Sequence, residues 1–432
     1  MHRTAQARLP SRRRFLAAGL SAGITVWMAP GLSARADTAV PLRGATAITQ
    51  VFGEGQKLTA IALAYDADID TTSLGPASYR VDGRTITRVY ANTQAATAEQ
   101  GRNGRFVIVE LSPDDPQALL YLQDRRTITR KPAKATITQM APVLSADQRR
   151  LAPSAQAVQT NAVIDQVVDG FRPLEYVDAR TGDTLKYNLF VPRNHDPAKR
   201  YPLVLFMHDA GASSTVTDTT LVQGLGAVCW ASPADQARRE AFVLAPQYPE
   251  PIVTDRSEAT EYLDLTVDLV HQLADQYNID KSRIYATGQS GGAMMGIAMN
   301  IKYPDLFAAS FLVAGQWDPA LVKPLARQKL WIVVSQGDPK AYPGQNAITA
   351  VLEQAGAQVA RAVWNGRSTP AEFAAAVRQL EAQGATIHYV ALEKGSVVPP
   401  GQADDAGSHH VNTWRIAYGI EGIRDWMFRQ RR

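Results

Sequence analysis

The stretch YATGQSGGAMM, residues 285–295, decides the fold of the larger part of this chain. β-forming residues precede it and small helix-forming residues follow it, which places Ser290 at a predicted strand-to-helix junction. The pattern G-x-S-x-G at such a junction is the nucleophile elbow, a turn so tight that the positions two residues either side of the serine must lack bulk. The stretch therefore predicts a reactive serine at the carboxyl end of a sheet. A purely structural Gly-rich turn is the alternative.

The sequence on both sides of this elbow alternates apolar runs with helical patterns. The runs YPLVLFMHD, AFVLAPQYP and LWIVVSQGD are continuous, which is typical of strands buried on both faces of a parallel sheet. Leu263, Val267, Val270 and Ala274 recur at helical spacing between two such runs. Strands alternating with helices predict a doubly wound, mostly parallel α/β domain over residues 164–432. The elbow within this domain indicates that its fold is that of an α/β hydrolase. Its first segment, GFRPLEYVDARTGDTLKYNLFVP, is predicted to form antiparallel edge strands.

Residues 37–145 have a different pattern, in which short alternating or apolar runs are separated by turn signals. The runs include LTAIALAY, TITRVYANT and RFVIVELS, and the turns include VDGR, GRNGR and SPDDPQ. Several short strands with regular turns predict an all-β sandwich, expected to pack beside the catalytic cleft and shape it. The polar, Ala/Gln-rich segment that follows, residues 146–163, is interpreted as a linker.

Residues 1–36 are predicted to be a signal peptide and not part of the fold. The basic run at residues 12–14 precedes Phe15 and Leu16, an apolar Gly/Ala-rich stretch follows, and a small-x-small end closes at Ala36. The paired arginines resemble the twin-arginine signal, so the chain is expected to be exported to a bacterial periplasm or secreted. A membrane anchor is the alternative, although the apolar stretch is interrupted and short for a span of about 20 residues.

The charge of the chain gives no support to a nucleic-acid partner. The sequence carries 45 Lys and Arg against 41 Asp and Glu, a net charge of +4. Six of the arginines lie in residues 1–36, which contain no acidic residue, so the remainder has a net charge of −2. The basic excess therefore belongs to the predicted signal peptide. No membrane partner is expected after its cleavage, and the oligomeric state is left open.

Cysteine and histidine usage argues against disulfides and metal sites. The one cysteine, Cys229, excludes a disulfide within the chain. Its position beside Trp230 is interpreted as that of a buried small hydrophobe. Cysteine and histidine nowhere show the spacing of a zinc site. Neither a metal nor another cofactor is therefore expected.

A serine nucleophile needs a base, and few histidines are placed to supply it. In this fold the chain order is serine, acid, histidine. Only His388, His409 and His410 follow Ser290. His388 lies in the strand-like run ATIHYVALE, where a core or edge position is expected. His410, in a polar segment leading into the last helix, is predicted to be the base, and His409 is the alternative.

The acid and the oxyanion donors are predicted from their places after strands. Asp338 follows the apolar run that ends at Val334, where an aspartate would hold the imidazole in its correct tautomer. A turn-forming Asp-Pro is the alternative reading of Asp338. The backbone N–H of Gly291 is predicted to face the oxyanion. The segment HDAG at residues 208–211 resembles the H-G-x-G loop that supplies a second donor, with aspartate where glycine is usual, and the N–H of Ala210 is the candidate.

Two aromatic residues are candidates for the substrate pocket. Trp317 follows an apolar strand in AGQWDP, and Tyr342 lies in the loop of the predicted acid. Either side chain could line an acyl pocket or simply pack in the core.

The segments RIYATGQSGGAMM, VSQGDPKAYPG and HVNTWRIAYGIEGIRDWMF resemble the polyhydroxybutyrate-depolymerase-like esterases. The similarity is to the branch with an N-terminal immunoglobulin-like domain, where GRTITRVYANT and RFVIVELSPDDP also have counterparts. It extends over nearly all of the chain after residue 36. The resemblance implies Ser290 as nucleophile, Asp338 as acid and His410 as base. It also implies carboxylic ester substrates and no metal or cofactor.

These patterns together predict an exported serine carboxylesterase that works through an acyl-enzyme intermediate. A serine peptidase or amidase is the alternative within enzymes, since the same three residues serve both reactions. A binding protein built on an inert hydrolase scaffold is the alternative outside enzymes, and it would predict a broken triad. The substrate, small or derived from a polymer, is left open.

Overall fold

The structure is a computed structural model, which describes residues 42–124, 127–153 and 156–432. The predicted signal peptide, residues 1–36, lies outside the described residues. Within the described residues, no helix combines the length and the apolar character that crossing a bilayer requires.

The first part of the described chain is a β-sandwich. Its strands are β1 (Gly44–Phe52), β2 (Gly55–Ile69), β3 (Tyr79–Val81), β4 (Ile86–Asn92), β5 (Gly104–Leu111), β6 (Tyr121–Asp124), β7 (Thr127–Arg130), β8 (Thr136–Gln139), β9 (Val143–Leu144), β10 (Arg150–Leu151), β11 (Val158–Gln159) and β12 (Ala162–Asp165). The larger sheet has the order β12-β1-β2-β5-β4, and a smaller sheet has the order β11-β8-β3. Side chains that alternate inward from both sheets form the core of the sandwich, as the alternating pattern predicts.

Residues 146–163 were predicted to be a linker. The structure corrects this prediction, because the segment belongs largely to the sandwich. Strand β10 pairs with β9, β11 pairs with β8, and β12 runs parallel to β1. Leu151 of β10 is buried in the sandwich core. These strands are two to four residues long. Alternation cannot be recognised over so few residues, so the sequence alone did not reveal them.

The remainder is a mostly parallel sheet with helices around it. Its strands are β13 (Phe171–Val177), β14 (Thr184–Phe190), β15 (Tyr201–Met207), β16 (Phe242–Gln247), β17 (Ile279–Gln289), β18 (Ala309–Val313), β19 (Leu330–Ser335), β20 (Val359–Trp364) and β21 (Ile387–Leu392). Its helices are α1 (Thr219–Val222), α2 (Leu225–Val228), α3 (Pro233–Arg238), α4 (Tyr262–Gln276), α5 (Gly291–Lys302), α6 (Ala341–Gln354), α7 (Pro370–Glu381), α8 (Ala406–Ala417) and α9 (Glu421–Phe428).

The sheet order, β13-β14-β16-β15-β17-β18-β19-β21-β20, confirms the predicted α/β hydrolase architecture. Strands β13 and β14 pair antiparallel at one edge, and the strands from β16 to β20 pair in parallel. Strand β17, which carries the elbow, lies at the centre. His388 is buried within β21, which agrees with its interpretation as a core residue. The carboxyl ends of the parallel strands meet at one edge, where ligands bind in folds of this class.

The sandwich packs directly on the hydrolase sheet's carboxyl edge. Val51 and Tyr121 of the sandwich join the hydrophobic core of the hydrolase part. The backbone of Gly53 approaches helix α8 so closely that a Cβ there would lie 3.0 Å from the Arg415 carbonyl oxygen, so only glycine fits without displacement. Arg130 forms a two-pronged ion pair with Asp218 at 2.7 and 3.0 Å.

Candidate active site

The elbow places Ser290 in a strained conformation between β17 and α5. Ser290 has φ 51° and ψ −118°, a region that non-glycine residues rarely adopt and that is often found at functional sites. A Cβ on Gly288 would lie 2.5 Å from the Gly292 backbone, and one on Gly292 would lie 2.0 Å from the Met207 carbonyl oxygen. Both positions therefore require glycine, and helix α5 begins directly after the serine with its partial positive charge at that end.

The structure brings Ser290, His410 and Asp338 into one hydrogen-bonded chain. The Ser290 hydroxyl lies 2.8 Å from His410 Nε2, and His410 Nδ1 lies 2.5 Å from Asp338 Oδ2. This arrangement gives the imidazole one acceptor nitrogen toward the serine and one N–H toward the carboxylate. The histidine lies within helix α8 and not in a loop before it, while Trp414, one turn further along that helix, packs edge-on against its ring at 5.0 Å.

The surroundings of Asp338 keep its carboxylate ionised. Burial by itself raises the pKa of Asp338, but the His410 hydrogen bond and charge, with the backbone N–H groups of Ala341 and Lys340, outweigh burial and hold the pKa below its ordinary value. Both backbone N–H groups donate to Oδ1 at 2.9 Å. The carboxylate is therefore fixed in place and negatively charged at neutral pH.

The two predicted oxyanion donors lie side by side next to Ser290. A Cβ placed on Gly291 would lie 3.4 Å from the backbone N of Ala210. Within the described chain, neither N–H donates to a protein acceptor. The loop that carries Ala210 is held by His208, whose Nε2 accepts from the Tyr248 N–H at 2.9 Å. His208 is buried, and its contacts brace this loop.

Asp209, which replaces the glycine usual in this loop, is a buried acceptor for three donors. Its Oδ1 accepts from the N–H of Gly211 at 2.8 Å and from Gln123 of the sandwich at 3.3 Å. Its Oδ2 accepts from Gln289, the elbow residue before the serine, at 3.0 Å. Asp209 thus ties the oxyanion loop to the elbow and to the sandwich, a role that the sequence pattern did not reveal.

Two cavities open on the serine from different sides. The first, of about 630 Å³, is formed by the hydrolase part alone. Besides the triad and the two oxyanion positions it is lined by Pro251, Val253, Thr254, Asp255, Met294, Gln316, Pro339, Lys340, Ala406 and Gly407. The second, of about 390 Å³, is shared with the sandwich. Besides Ser290, His410 and Ala210 it is lined by Gly53, Glu54, Leu119, Tyr121, Leu122, Gln123, Asp209, Gly211, Gln223, Val411, Trp414 and Arg415.

The two aromatic candidates for the substrate pocket pack against the hydrophobic core. Trp317 is buried in the hydrophobic core, and its neighbour Gln316 lines the first cavity instead. Tyr342 packs against the same core from helix α6, while Pro339 and Lys340 of its loop line the cavity. Neither Trp317 nor Tyr342 lines either of the two cavities. Both side chains pack against the core, which is the alternative that the sequence left open, because tertiary packing is not revealed by the pattern of the strand ends.

His409, the alternative base, is held away from the elbow. Its Nδ1 lies 3.0 Å from the Ser335 hydroxyl and its Nε2 lies 2.6 Å from Asp404 Oδ1. The ring is buried and packs so closely on Gly337 that a Cβ there would lie 2.3 Å from it. Among the described residues, no group of three or more His, Cys, Asp or Glu is arranged to hold a metal ion.

Family profiles match both parts of the chain. The esterase Ig-like N-terminal domain matches residues 44–152, and the prolyl oligopeptidase family matches residues 255–390. A crystal structure of a thermostable esterase superposes on 90% of this chain and 100% of its own, with a TM-score of 0.77 and 27% sequence identity. These matches confirm an immunoglobulin-like domain followed by an α/β hydrolase fold.

The curated relatives are similar over shorter stretches. Acetylxylan esterase A of Emericella nidulans is 50% identical over 48 residues, 11% of this chain and 16% of that protein. The putative esterase NocK of Nocardia uniformis subsp. tsuyamanensis is 29% identical over 201 residues, 44% of this chain and 55% of NocK. The chain therefore spans less than two thirds of the length of these two relatives.

Proposed function

Because the chain belongs to the esterases that carry an immunoglobulin-like N-terminal domain, we propose that it is a serine carboxylesterase with Ser290 as nucleophile, His410 as base and Asp338 as the orienting acid. The observation that carries the proposal is His410, whose two ring nitrogens lie 2.8 Å from Ser290 Oγ and 2.5 Å from Asp338 Oδ2. A binding protein on an inert scaffold would have no reason to keep this chain of contacts intact next to a cavity.

The reaction follows from this geometry. His410 Nε2 removes the hydroxyl proton as Ser290 Oγ attacks the ester carbonyl carbon, and a tetrahedral intermediate forms. His410 then donates that proton to the alkoxy oxygen, the C–O bond breaks and the alcohol leaves. Water, deprotonated by His410, attacks the acyl carbon in the same manner. The bond from that carbon to Ser290 Oγ breaks, His410 returns the proton to Oγ, and the acid leaves. The Asp338 carboxylate stabilises the imidazolium in both halves of the cycle.

The developing oxyanion is received by backbone donors. The N–H groups of Gly291 and Ala210 lie beside the serine without protein acceptors in the described chain. Two fixed donors of this kind stabilise charge that appears only in the transition state, and loss of one such donor typically reduces kcat by about 10²- to 10³-fold. The first turn of helix α5 adds its dipole in the same direction.

The site of action is proposed from residues 1–36. Their basic run, apolar stretch and small-x-small end fit a cleaved twin-arginine signal, which transports folded proteins out of the bacterial cytoplasm. The enzyme is accordingly proposed to work in the periplasm or outside the cell. The resemblance to polyhydroxybutyrate-depolymerase-like esterases remains a prediction about branch and substrate.

The peptidase alternative is favoured by one observation, the match of the prolyl oligopeptidase family to residues 255–390. An ester and an anilide of the same acyl group separate the two activities, for example 4-nitrophenyl acetate and 4-nitroacetanilide. We expect ester hydrolysis that is lost in Ser290→Ala and anilide hydrolysis at least about 10³-fold slower. Comparable rates on both substrates would identify an amidase, and ester turnover that persists in Ser290→Ala would contradict the proposed nucleophile.

A further inference from the structure

The second cavity, the one shared by the sandwich and the hydrolase part, carries hydrogen-bond donors that the protein itself leaves unused. Arg415 and Gln223 both line it, and each has a buried side-chain nitrogen without an acceptor in the described chain. We propose that this cavity binds a carboxylate group carried by the substrate ester, with Arg415 and Gln223 as its donors. The inference rests on the proposed esterase function, since Ser290 and His410 line the same cavity.

Arg415 is a cation whose hydrogen bonding within the described chain is to a neutral partner, although the Glu54 carboxylate acts on it electrostatically without forming an ion pair. In the described chain its one side-chain hydrogen bond runs from Nη1 to Asn412 Oδ1 at 2.9 Å. Asn412 must accept through that oxygen because its Nδ2 donates to Gln402 at 3.0 Å. The Nε atom of Arg415 is buried without an acceptor. A desolvated guanidinium without a carboxylate partner is costly, and planar N–H groups of this kind match a carboxylate geometrically.

The orientation of the Gln223 amide follows from a chain of hydrogen bonds that starts at Asp209. An ionised carboxylate only accepts, so the group that Gln289 presents to Asp209 Oδ2 at 3.0 Å is its NH₂. The same NH₂ donates to Gln223 Oε1 at 3.4 Å. Gln223 is therefore left with its own NH₂ as a free donor. Its side chain is only 7% exposed, and a buried donor without an acceptor is costly until a ligand supplies one.

The two carboxylates in the same cavity wall already have partners. Glu54 forms an ion pair with Lys57. Asp209 accepts from Gly211, Gln123 and Gln289. An incoming carboxylate would therefore meet two satisfied acids and two unsatisfied donors. Both acids thus have their hydrogen bonds, whereas the Arg415 guanidinium forms no ion pair among the described residues, which favours an anionic ligand over a neutral one.

The position of the cavity indicates where on the substrate the carboxylate would lie. Ser290 and His410 border both cavities, so an ester bound at the serine extends its two sides from that point. A volume of about 390 Å³ accommodates a ring-sized group. The sandwich supplies Glu54, Tyr121 and Gln123 to this wall, so it contributes directly to substrate selection.

Two pairs of esters test the proposal, one for each side of the ester bond. For the alcohol side, 4-carboxyphenyl acetate is compared with its methyl ester. For the acyl side, 4-nitrophenyl hydrogen adipate is compared with 4-nitrophenyl hexanoate. The readout is the ratio of kcat/KM between the charged and the neutral ester, measured in wild type, Arg415→Met and Gln223→Met. Comparison of this ratio between variants cancels the intrinsic reactivities of the esters.

In one of the two pairs we expect the ratio to fall at least about 10-fold in Arg415→Met and about 3- to 10-fold in Gln223→Met. Arg415→Met removes an ion pair with its hydrogen bonds, whereas Gln223→Met removes one hydrogen bond from a neutral donor to the carboxylate. The matched control is Lys340→Met, which removes a cation from the first cavity, where Lys340 pairs with Asp255. In the pair whose ratio falls in Arg415→Met, the ratio of Lys340→Met should stay within about 2-fold of wild type.

A ratio of kcat/KM that stays unchanged in Arg415→Met for both pairs of esters would overturn the proposal. It would also be overturned if, in the same pair, the ratio fell as much in Lys340→Met as in Arg415→Met. If Arg415→Met fails to fold by circular dichroism, Arg415→Lys and Gln223→Met provide the same comparison. Failure of this subsite is distinct from failure of the esterase function. If the subsite proposal alone fails, neutral esters are still hydrolysed in a Ser290-dependent manner. If the proposed esterase function fails, turnover persists in Ser290→Ala.

Discussion

Two adjacent histidines of helix α8 each join a serine to an aspartate, and their surroundings differ. His410 lies between Ser290 and Asp338, with distances of 2.8 and 2.5 Å. His409 lies between Ser335 and Asp404, with distances of 3.0 and 2.6 Å. Successive residues of a helix point about 100° apart, so the two rings serve different neighbourhoods. Contacts of the same type therefore occur twice, one residue apart.

The difference lies in what surrounds each serine. Ser290 has a strained backbone, lines two cavities and stands beside two unused N–H groups. Ser335 ends strand β19, is fully buried, and its hydroxyl also accepts from the Gly337 N–H at 3.2 Å. A hydroxyl that no substrate can reach performs no chemistry. Three residue types in hydrogen-bond contact therefore do not define a catalytic site unless a substrate can reach them and donors for an oxyanion lie beside them.

Ser335 and His409, of the second set, contact the segment that carries Asp338. Ser335 lies three residues before Asp338, and its carbonyl oxygen accepts from the Asp338 N–H at 3.0 Å. The His409 contact therefore fastens helix α8 to the strand end that presents the acid. We infer that His409 helps to hold His410 and Asp338 in register without taking part in proton transfer.

The largest expected effect separates the two serines. Ser290→Ala removes the nucleophile and should reduce kcat for an activated ester by about 10⁴-fold or more, while the protein remains folded. Ser335→Ala removes only a buried hydroxyl and should leave kcat within about 10-fold of wild type. Steady-state kinetics on both variants, with circular dichroism as the folding control, measures the difference. Similar losses in the two variants would end the distinction between the sets.

The next largest effect separates the two histidines. His410→Ala removes the base and should reduce kcat about 10³-fold or more. His409→Ala should stay within about 10-fold of wild type, with a lower melting temperature because buried hydrogen bonds are lost. The reverse pattern would move the base by one residue. Near-normal rates in both variants would contradict the triad itself.

The two aspartates should differ in rate and in the pH dependence of stability. Asp338→Asn should reduce kcat about 10²-fold or more because the imidazole loses its orienting charge, whereas Asp404→Asn, at an exposed carboxylate, should change it little. Because the pKa of Asp338 is lowered on folding, its stabilising contribution is full above the unfolded-state pKa of about 4 and is lost as the pH falls through the folded-state value. The stability advantage of wild type over Asp338→Asn should therefore shrink from pH 5 to pH 2 in thermal unfolding, and an advantage that grows on acidification would contradict this account.

No effect is expected from chelation. If Ser290 is the nucleophile, the reaction needs no metal-activated water, and EDTA or 1,10-phenanthroline should leave the rate of ester hydrolysis unchanged. The assay is the initial rate after dialysis against each chelator, with a magnesium-replete sample as control. If activity disappeared on chelation and returned with one particular metal, a metal ion would take part in the reaction, and the assignment of Ser290 as the nucleophile would be contradicted.

The sequence was sufficient for the parts of the site that depend on local pattern and chain order. The elbow around Ser290, the aspartate after a strand and the histidine near the end of the chain were each predicted from their own neighbours. The structure brings these three residues into contact. Their catalytic roles stay predictions until the variants are measured.

The parts that depend on packing between distant segments were not predictable. Gln123 and Glu54 reach the second cavity only because the sandwich docks on the hydrolase sheet. Tertiary contacts likewise determine the burial of Trp317 and the pairing of the short strands β10 to β12. The residue pattern within one segment does not indicate such contacts. The three residues of the proposed triad could therefore be predicted from the sequence, but most residues that line the cavities could not.

Covalent labelling tests the central claim, that Ser290 and not Ser335 is the reactive serine, most directly. The protein is treated with a fluorophosphonate at neutral pH, and the labelled residue is identified by peptide mass spectrometry. We expect one label per chain, on Ser290, and no label in His410→Ala on the same time scale. A label on Ser335 or on another serine, or rapid labelling in His410→Ala, would contradict it.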